Sequence, residues 1–180
     1  MRSARASSGW KCARIRAKVL AAQAGERGGP ADARWLARAT AWVAEVAPDW
    51  EELTGRVPPA RTWMPLVDEP DLQGWLICWP SGQARALHGH DGAAGALQIL
   101  RGGLDERWAP RPGAPLTPRR LQSGICYCFG PEFLHAVGNS QTEPATSVHF
   151  YGRAVAVPPA MEVAGAGAGD AMAVVHPQLV

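Results

Sequence analysis

The sequence predicts a mainly β protein, an antiparallel barrel preceded by N-terminal α-helices. From Pro58 onward, short apolar runs alternate with Gly, Pro and Asp, which is typical of short strands joined by turns, and no helical period interrupts them. Before Pro58, apolar residues between positions 35 and 46 recur at helical spacing. The 180 residues are expected to form one domain, large enough to bury a core without disulfide bonds.

The same patterns divide the chain into four segments. We predict a basic N-terminal segment at residues 1–30, expected to be partly disordered, and a helical region at residues 31–57 that packs on the barrel. The barrel is predicted at residues 58–157 and a Gly/Ala/Pro-rich tail at residues 158–180. The tail cannot bury enough side chain to offset its ordering entropy, so we expect it to be mobile.

The start of the chain is strongly basic. Its first 25 residues contain six Arg or Lys residues, and the first acidic residue is Glu26. This composition fits an organellar transit peptide, or a basic first helix or frayed terminus, and we favour the second interpretation. No apolar run is long enough to span a membrane. We therefore expect a cytoplasmic protein, with organellar targeting as the alternative.

The helical region has a clear start and stop. Asp32 is a plausible N-cap, and Pro48 marks the point before which the helix must end. Between them an apolar stripe runs from Trp35 to Val46 at helical spacing. We interpret this stripe as the face that packs against the barrel.

Nine strands are predicted in the barrel. They lie near residues 64–67, 74–80, 86–90, 96–101, 104–108, 119–122, 125–129, 134–138 and 146–152. Gly102 and Gly103 stand between two of these runs and predict a hairpin. The segment from Ala109 to Pro118 contains four prolines and is expected to be a surface loop.

Composition excludes some classes of function. The net charge of +2 gives no electrostatic reason to expect nucleic-acid binding. We interpret Cys78, Cys126 and Cys128 as small core residues, because free Cys is often buried. The absence of a disulfide framework indicates a reducing compartment.

Three histidines form a candidate metal site. Side chains two apart on a strand point to the same face, so His88 and His90 offer two imidazoles to one side of a sheet. His135 follows a Gly-Pro turn on a separate predicted strand. Imidazole suits zinc, copper, iron and nickel, and three protein ligands with open positions are typical of a catalytic metal. The alternative is a hydrogen-bonded cluster of core histidines. By strand parity, Arg85 and Asp91 are expected to point away from the metal.

The spacing around the first two histidines resembles the first cupin motif. Gly82, His88, His90 and Gly102 all fall on the motif, whereas Gly95 stands where the family has a Glu ligand.

The spacing around the third histidine resembles the second cupin motif. This motif runs from Gly124 through His135 to Asn139, with Gly130 and Glu132 in place of the usual Pro and Gly. Asn139 is expected to hold the turn after His135. The two resemblances together imply a small cupin, a double-stranded β-helix or jelly-roll barrel.

A cupin with three His and no Glu ligand resembles the cysteine dioxygenase type I, or thiol dioxygenase, family. The stretch Trp75-Leu-Ile-Cys-Trp79 and the strand Ser147-Val-His149-Phe-Tyr151 strengthen this resemblance, and the side chains of Ser147, His149 and Tyr151 share a face. It implies an iron(II) cofactor on the three histidines and oxidation of L-cysteine by O2 to cysteine sulfinic acid, a step of sulfur amino-acid metabolism. It also implies that Tyr151 positions substrate or oxygen, that His149 orients Tyr151, and that Ser147 orients His149.

The resemblance leaves the substrate open. The family binds the substrate carboxylate through an Arg, and Arg61 takes that place when a gap is allowed, although a solvated loop charge is an equal alternative. Gly95 cannot form the Cys–Tyr crosslink of the animal enzymes, so Tyr151 is expected to be unmodified. The alternatives to cysteine oxidation are dioxygenation of another small thiol such as 3-mercaptopropionate, or a non-catalytic metal-binding cupin. The expected partners are a small thiol and O2, with no nucleic acid and no membrane, and we expect a monomer or a weak homodimer.

Overall fold

A computed structural model describes residues 2–27 and 31–152 of the protein. The predicted tail at residues 158–180 lies outside the described residues. Three helices precede the strands: α1 Arg2–Glu26, α2 Ala33–Ala44 and α3 Trp50–Thr54. As predicted, Asp32 caps α2, and its side chain accepts a hydrogen bond of 2.8 Å from the backbone N–H of Trp35. No helix within the described ranges combines the length and apolar character that crossing a bilayer requires.

All nine predicted strands are present. They are β1 Thr62–Glu69, β2 Leu72–Trp79, β3 Ala84–His88, β4 Gly95–Arg101, β5 Gly103–Ala109, β6 Thr117–Gln122, β7 Cys126–Phe129, β8 Leu134–Gly138 and β9 Ala145–Tyr151. They form a five-stranded sheet in the order β1-β2-β9-β4-β7 and a four-stranded sheet in the order β3-β8-β5-β6, with antiparallel pairing throughout. The predicted mainly β fold, an antiparallel barrel preceded by N-terminal helices, is confirmed.

The core has two layers, and β9 separates them. Val148 and Phe150 of β9 belong to the layer between the five-stranded sheet and the helices, together with Leu36 of α2. The next residue of the strand, Tyr151, belongs to the second layer between the two sheets, where Leu104 of β5 also packs. Because successive strand residues point to opposite faces, β9 is buried on both sides. Its inward face is therefore available to build a site inside the barrel.

Two local predictions were wrong. Gly102 does not form a hairpin, because β4 and β5 belong to different sheets and the chain crosses from one to the other there. Gly102 has φ +72°, and a Cβ on it would approach the Pro144 carbonyl oxygen to 2.8 Å, so the corner requires glycine. The predicted loop also extends too far, because β6 already begins at Thr117 and includes Pro118. Since β6 is an edge strand, the missing N–H of Pro118 is tolerated.

Candidate metal centre

The three predicted histidines converge inside the barrel. His88 ends β3, His90 lies just after it, and His135 lies on the neighbouring strand β8, where it pairs with His88. One ring nitrogen from each lies within 4.8 Å of the other two. Three ring nitrogens clustered in this way form a group that could hold a metal ion.

Backbone geometry orients the ring of His88. Its Nδ1 lies 2.8 Å from the carbonyl oxygen of Ala86, which can only accept a hydrogen bond, so Nδ1 carries the hydrogen. The lone pair of the neutral ring is therefore on Nε2. This fixes which nitrogen of His88 could bind a metal.

Stacking rather than hydrogen bonding orients the ring of His90. The side chain is 5% exposed, and neither ring nitrogen makes a well-formed hydrogen bond with a described residue. The ring lies against the Phe129 ring at 4.7 Å and the Tyr151 ring at 5.2 Å between centroids. Burying an imidazole whose nitrogens lack well-formed hydrogen bonds is costly, and a metal bond at one nitrogen would offset part of this cost.

A buried carboxylate holds His135. Its Nδ1 donates to Oε1 of Glu106 at 2.6 Å, which leaves Nε2 as the free lone pair. The other oxygen of Glu106 accepts from Nε of Arg119, and the Glu106 carboxylate is fully buried. Such carboxylate–histidine pairs are the usual support of a metal-binding imidazole, because they fix the ring and raise its basicity.

Sequence reasoning missed Glu106, although a signal was present. Leu104, Glu106 and Trp108 alternate along β5, and the two apolar neighbours predict that the carboxylate between them points into the barrel. Burial by itself would raise the pKa of Glu106, but the hydrogen bond from His135 and the charge of Arg119 outweigh it and hold the pKa below its usual value. Glu106 is therefore ionised at neutral pH.

Two of the histidines that face the cavity, His88 and His90, are neutral. Burial, with the charges of His135 and Arg85, lowers the pKa of His88 and of His90 well below the usual value. Neutral imidazoles keep the lone pair that a metal needs, so metal binding at neutral pH would not have to displace protons from them. The described residues thus fit a divalent transition metal held by three nitrogens.

Glycine at position 95 makes room for an aromatic ring. A Cβ on Gly95 would lie 2.3 Å from Cζ of Phe129 and 3.1 Å from the carbonyl oxygen of Phe150. The Phe129 ring therefore fills the space beside position 95, where the cupin carboxylate is expected, and stacks on His90 from there. Phe129 was not identified from the sequence, because nothing in its strand pattern indicates this packing.

Gly95→Ala is expected to lower the free energy of unfolding by about 1–3 kcal/mol, because the new methyl overlaps the Phe129 ring. Thermal or urea unfolding measures the effect, and adding Phe129→Leu should recover part of the loss. Gly130→Ala is the matched control, since a Cβ there meets no heavy atom within 4 Å. Equal stability of the two alanine variants would contradict the packing argument.

A chain of hydrogen bonds runs along the inward face of β9. Nε1 of Trp79 donates to Oγ of Ser147 at 2.9 Å, and the same Oγ lies 2.9 Å from Nε2 of His149. In the tautomer of His149 that carries its hydrogen on Nδ1, the Ser147 hydroxyl donates to Nε2. Nδ1 lies 3.4 Å from the hydroxyl oxygen of Tyr151, so in this tautomer the phenolic hydrogen is free to donate into the cavity.

Both titratable members of this chain are neutral. Burial, with the charges of His135 and Arg61, lowers the pKa of His149 to about 3. Burial raises the pKa of Tyr151 to about 12, against the opposing effect of Arg85 and Arg61. Tyr151 is therefore a phenol and a hydrogen-bond donor at neutral pH.

One cavity contains both groups of residues. Its volume is about 680 Å³ including its opening to solvent, and its wall includes the three histidines, His149 and Tyr151. Arg61, predicted from the sequence, also lines this cavity, with its guanidinium 5.1 Å from the centre of the Trp79 ring. Trp79 is buried, and it also forms part of this wall and supports Ser147.

Two parity predictions were wrong, since Arg85 and Asp91 both line the cavity. The register of β3 against β8 shifts between Arg85 and His88. Arg85 pairs with Val137 and His88 pairs with His135, so β3 has one more residue in this interval than β8. This bulge turns Arg85 to the side of its partner Val137, which packs inside the barrel. Asp91 lies beyond the end of the strand with φ 50°, where strand parity no longer applies.

Other sequence predictions had mixed outcomes. Asn139 holds the turn after β8, with its Nδ2 donating to the carbonyl oxygens of Trp79 and Glu143.

Cys78 is buried, whereas Cys128 is exposed and Cys126 is only partly buried. The core prediction for Cys128 was wrong, because its side chain lies on the outward face of the edge strand β7.

Comparison with solved structures finds several similar proteins, one of them described as a cupin domain. The cupin domain of Bordetella pertussis Tohama I is 18% identical over 56% of this chain and all of its own, with a TM-score of 0.44. TT1209 from Thermus thermophilus is 21% identical over 54% of this chain and 89% of its own, with a TM-score of 0.45. KdgF from Halomonas sp. is 17% identical over 55% of this chain and 86% of its own, with a TM-score of 0.44. At this level the likeness says nothing about function.

Comparison by sequence is more specific. The search of curated proteins gave no significant match. The model of the family "Cysteine dioxygenase type I" matches residues 31–163, which is most of the chain and includes every residue of the site described above. The protein belongs to the cysteine dioxygenase type I family.

Proposed function

We propose that the protein is a non-haem iron(II) thiol dioxygenase that oxidises a small thiol with O2 to a sulfinic acid. L-Cysteine is the substrate that the family implies, and 3-mercaptopropionate is the alternative. The observation that carries the proposal is one cavity lined by both the three-histidine cluster and the phenol of Tyr151. Family membership supports the same class of enzyme.

The donor set suits the proposed metal. His88, His90 and His135 would hold it through neutral imidazoles, and the unsatisfied nitrogens of His90 are the feature that most requires such a partner. Iron(II) bound there would supply the redox chemistry that joins a thiol to O2. Because the three ligands carry no charge, the site would keep its full positive charge and favour an anionic thiolate.

The remaining residues would position the reactants. Tyr151 would donate its phenolic hydrogen bond to the substrate or to oxygen, in the tautomer of His149 whose Nδ1–H donates to the phenol oxygen. Arg61 would bind the substrate carboxylate, and its guanidinium is held between the rings of Trp63 and Trp79, at 5.6 and 5.1 Å from their centres. A positioned, partly dry cavity of this kind lowers the entropic part of the barrier.

Tyr151→Phe is expected to lower kcat/KM for thiol oxidation by about a hundredfold or more, as loss of a positioned proton donor commonly does. O2 uptake by anaerobically iron(II)-loaded protein, with the sulfinate product quantified, measures the effect for L-cysteine and 3-mercaptopropionate. Tyr127→Phe is the matched control, because its hydroxyl bonds to the backbone of Gln122 and Arg120. We expect Tyr127→Phe to stay within about threefold of the wild type.

The outcomes separate the candidate functions. Turnover of a thiol to its sulfinate establishes the class of reaction, and equal rates in wild type and Tyr151→Phe would remove the role proposed for the phenol. No turnover of any thiol, with iron verified at the histidines, would favour a non-catalytic metal-binding cupin.

A further inference from the structure

A cation reaches the metal centre from outside the cavity. Arg119 lies on the edge strand β6, directly opposite Glu106 of β5. Its Nε donates to Oε2 of Glu106, and Oε1 of the same carboxylate accepts from Nδ1 of His135 at 2.6 Å. Neither Arg119 nor Glu106 is among the described residues that line the cavity. Two hydrogen bonds therefore connect the edge of the sheet to one of the three histidines without entering the space for substrate.

Three aromatic rings hold the guanidinium of this arginine. Its Cζ lies 4.9 Å from the centre of the Trp108 ring, 5.1 Å from that of Tyr127 and 5.9 Å from that of Phe133. A cation at such distances is attracted to the face of an aromatic ring. The Arg119 side chain is 27% exposed, whereas the carboxylate that it pairs with is fully buried. Packing as well as the ion pair thus fixes the position of the charge.

A fixed cation decides how the buried carboxylate is oriented. The last side-chain torsion of a glutamate has a broad range, so one hydrogen bond to His135 alone would fix the carboxylate plane poorly. Because Arg119 binds the second oxygen, the plane of Glu106 is set and Oε1 is directed at Nδ1 of His135. Charge-assisted bonds of this kind orient a metal-binding imidazole and are costly to lose. The orientation of the His135 ring therefore depends on Arg119.

We propose that Arg119 is a positioning residue of the metal centre, which acts on His135 through Glu106. The inference rests on the metal site of the proposed function and adds a residue that prepares one of its three ligands. Arg119 contacts neither the metal nor the substrate in this role. Its removal should therefore weaken metal binding and leave KM for the thiol unchanged once the metal site is filled.

The first test measures metal affinity with cobalt(II), whose visible absorption reports on its ligands. Arg119→Met should lower the affinity by about tenfold, the low end of the loss that follows removal of a residue supporting a ligand. Arg119→Lys should lose less, because it keeps the charge and loses only the planar group. Arg120→Met is the matched control, since Arg120 is the next residue of β6 and pairs with Asp105 at 2.8 Å on the opposite face of the sheet. We expect the control to stay within about threefold of the wild type.

A double-mutant cycle tests whether Arg119 acts through Glu106. In a Glu106→Ala background the connection to His135 is already broken, so Arg119→Met should change the cobalt(II) affinity by less than about threefold. A loss of about tenfold in both backgrounds would mean that Arg119 acts independently of the carboxylate, which overturns the proposal. Thermal unfolding verifies that each variant is folded at the temperature of the titration. If Arg119→Met is not folded there, Arg119→Lys takes its place in the cycle.

The second test needs no metal. Proton NMR of the metal-free protein can follow the exchange of the Nδ1 hydrogen of His135 with water, and His135→Gln assigns the signal by its loss. Arg119→Met should speed this exchange by about tenfold or more, whereas Arg120→Met should leave it unchanged. A general loss of stability would instead speed the exchange of the backbone N–H groups of β4 and β9 as well, so the two effects are distinguishable.

Failure of this inference can be told apart from failure of the proposed function. If Arg119→Met binds cobalt(II) as tightly as the wild type, or if its His135 hydrogen exchanges as slowly, Arg119 does not position the ligand. If the wild type binds iron and oxidises no thiol, the proposed function is wrong and the role of Arg119 in the metal centre stands. If the wild type binds neither cobalt(II) nor iron(II), the metal centre itself is wrong, and the inference fails with it.

Discussion

His90→Ala is expected to lower the affinity for iron(II) by more than about a hundredfold, since even outer residues that support a ligand cost ten- to a hundredfold when removed. Thiol oxidation should then fall below detection, because the metal is lost during dialysis. Metal content after anaerobic reconstitution and dialysis, measured together with O2 uptake, tests this. The outcome that would contradict it is an iron content equal to that of the wild type.

His149→Ala is the matched control for His90→Ala. Both histidines are buried and neutral and both line the cavity, but only His90 belongs to the cluster of three converging nitrogens. His149→Ala should therefore keep the metal and lose activity through Tyr151, whose orientation depends on His149. Loss of metal in both variants would mean that the cavity collapses when either ring is removed.

The cost of keeping His90 for a metal should also be measurable without the metal. In the metal-free protein both of its buried nitrogens lack a well-formed hydrogen bond, and such groups cost about 1–3 kcal/mol. His90→Phe keeps the stack on Phe129 and removes the polar atoms. We expect it to raise the free energy of unfolding of the metal-free protein by about 1 kcal/mol while abolishing iron binding, as for a residue retained for function at the expense of stability.

Local sequence patterns were sufficient for most of the fold. Strand positions, the start of α2 and the shared face of Ser147, His149 and Tyr151 follow from periods of two and of 3.6 residues and from one capping residue. These are properties of a few consecutive residues, so the sequence displays them directly. The convergence of His88, His90 and His135 was predictable for the same reason once two spaced motifs were recognised.

The features that the sequence did not predict depend on residues far apart in the chain. Arg85 points into the cavity because of a bulge against β8, and parity counted along β3 alone gives the opposite direction. Phe129 reaches His90 only because β7 pairs with β4 opposite Gly95. Gly102 turns a corner between two sheets, and its neighbours in sequence look the same as those of a hairpin. Pairing and register, which decide all three, are set by the whole barrel.

Glu106→Ala is expected to lower the free energy of unfolding by about 3–5 kcal/mol, which is the usual cost of removing one partner of a buried ion pair. The variant leaves Arg119 without its carboxylate and His135 without the acceptor of its Nδ1 hydrogen. Affinity for iron(II) should fall by about ten- to a hundredfold, because the ring of His135 is no longer fixed. Urea unfolding and metal titration measure the two effects separately.

Two further variants distinguish support of the metal from general loss of stability. Glu106→Gln can still accept from Nδ1 of His135 through its amide oxygen, so it should recover much of the metal affinity while Arg119 stays uncompensated. Asp105→Asn removes the carboxylate one position away, which pairs with Arg120 near the surface and should cost less than about 1 kcal/mol with no change in metal binding. If Glu106→Ala is destabilised and yet binds iron as tightly as the wild type, the carboxylate stabilises the barrel without positioning His135. If its metal affinity falls and Glu106→Gln restores it, the hydrogen bond to His135 is what prepares the third ligand.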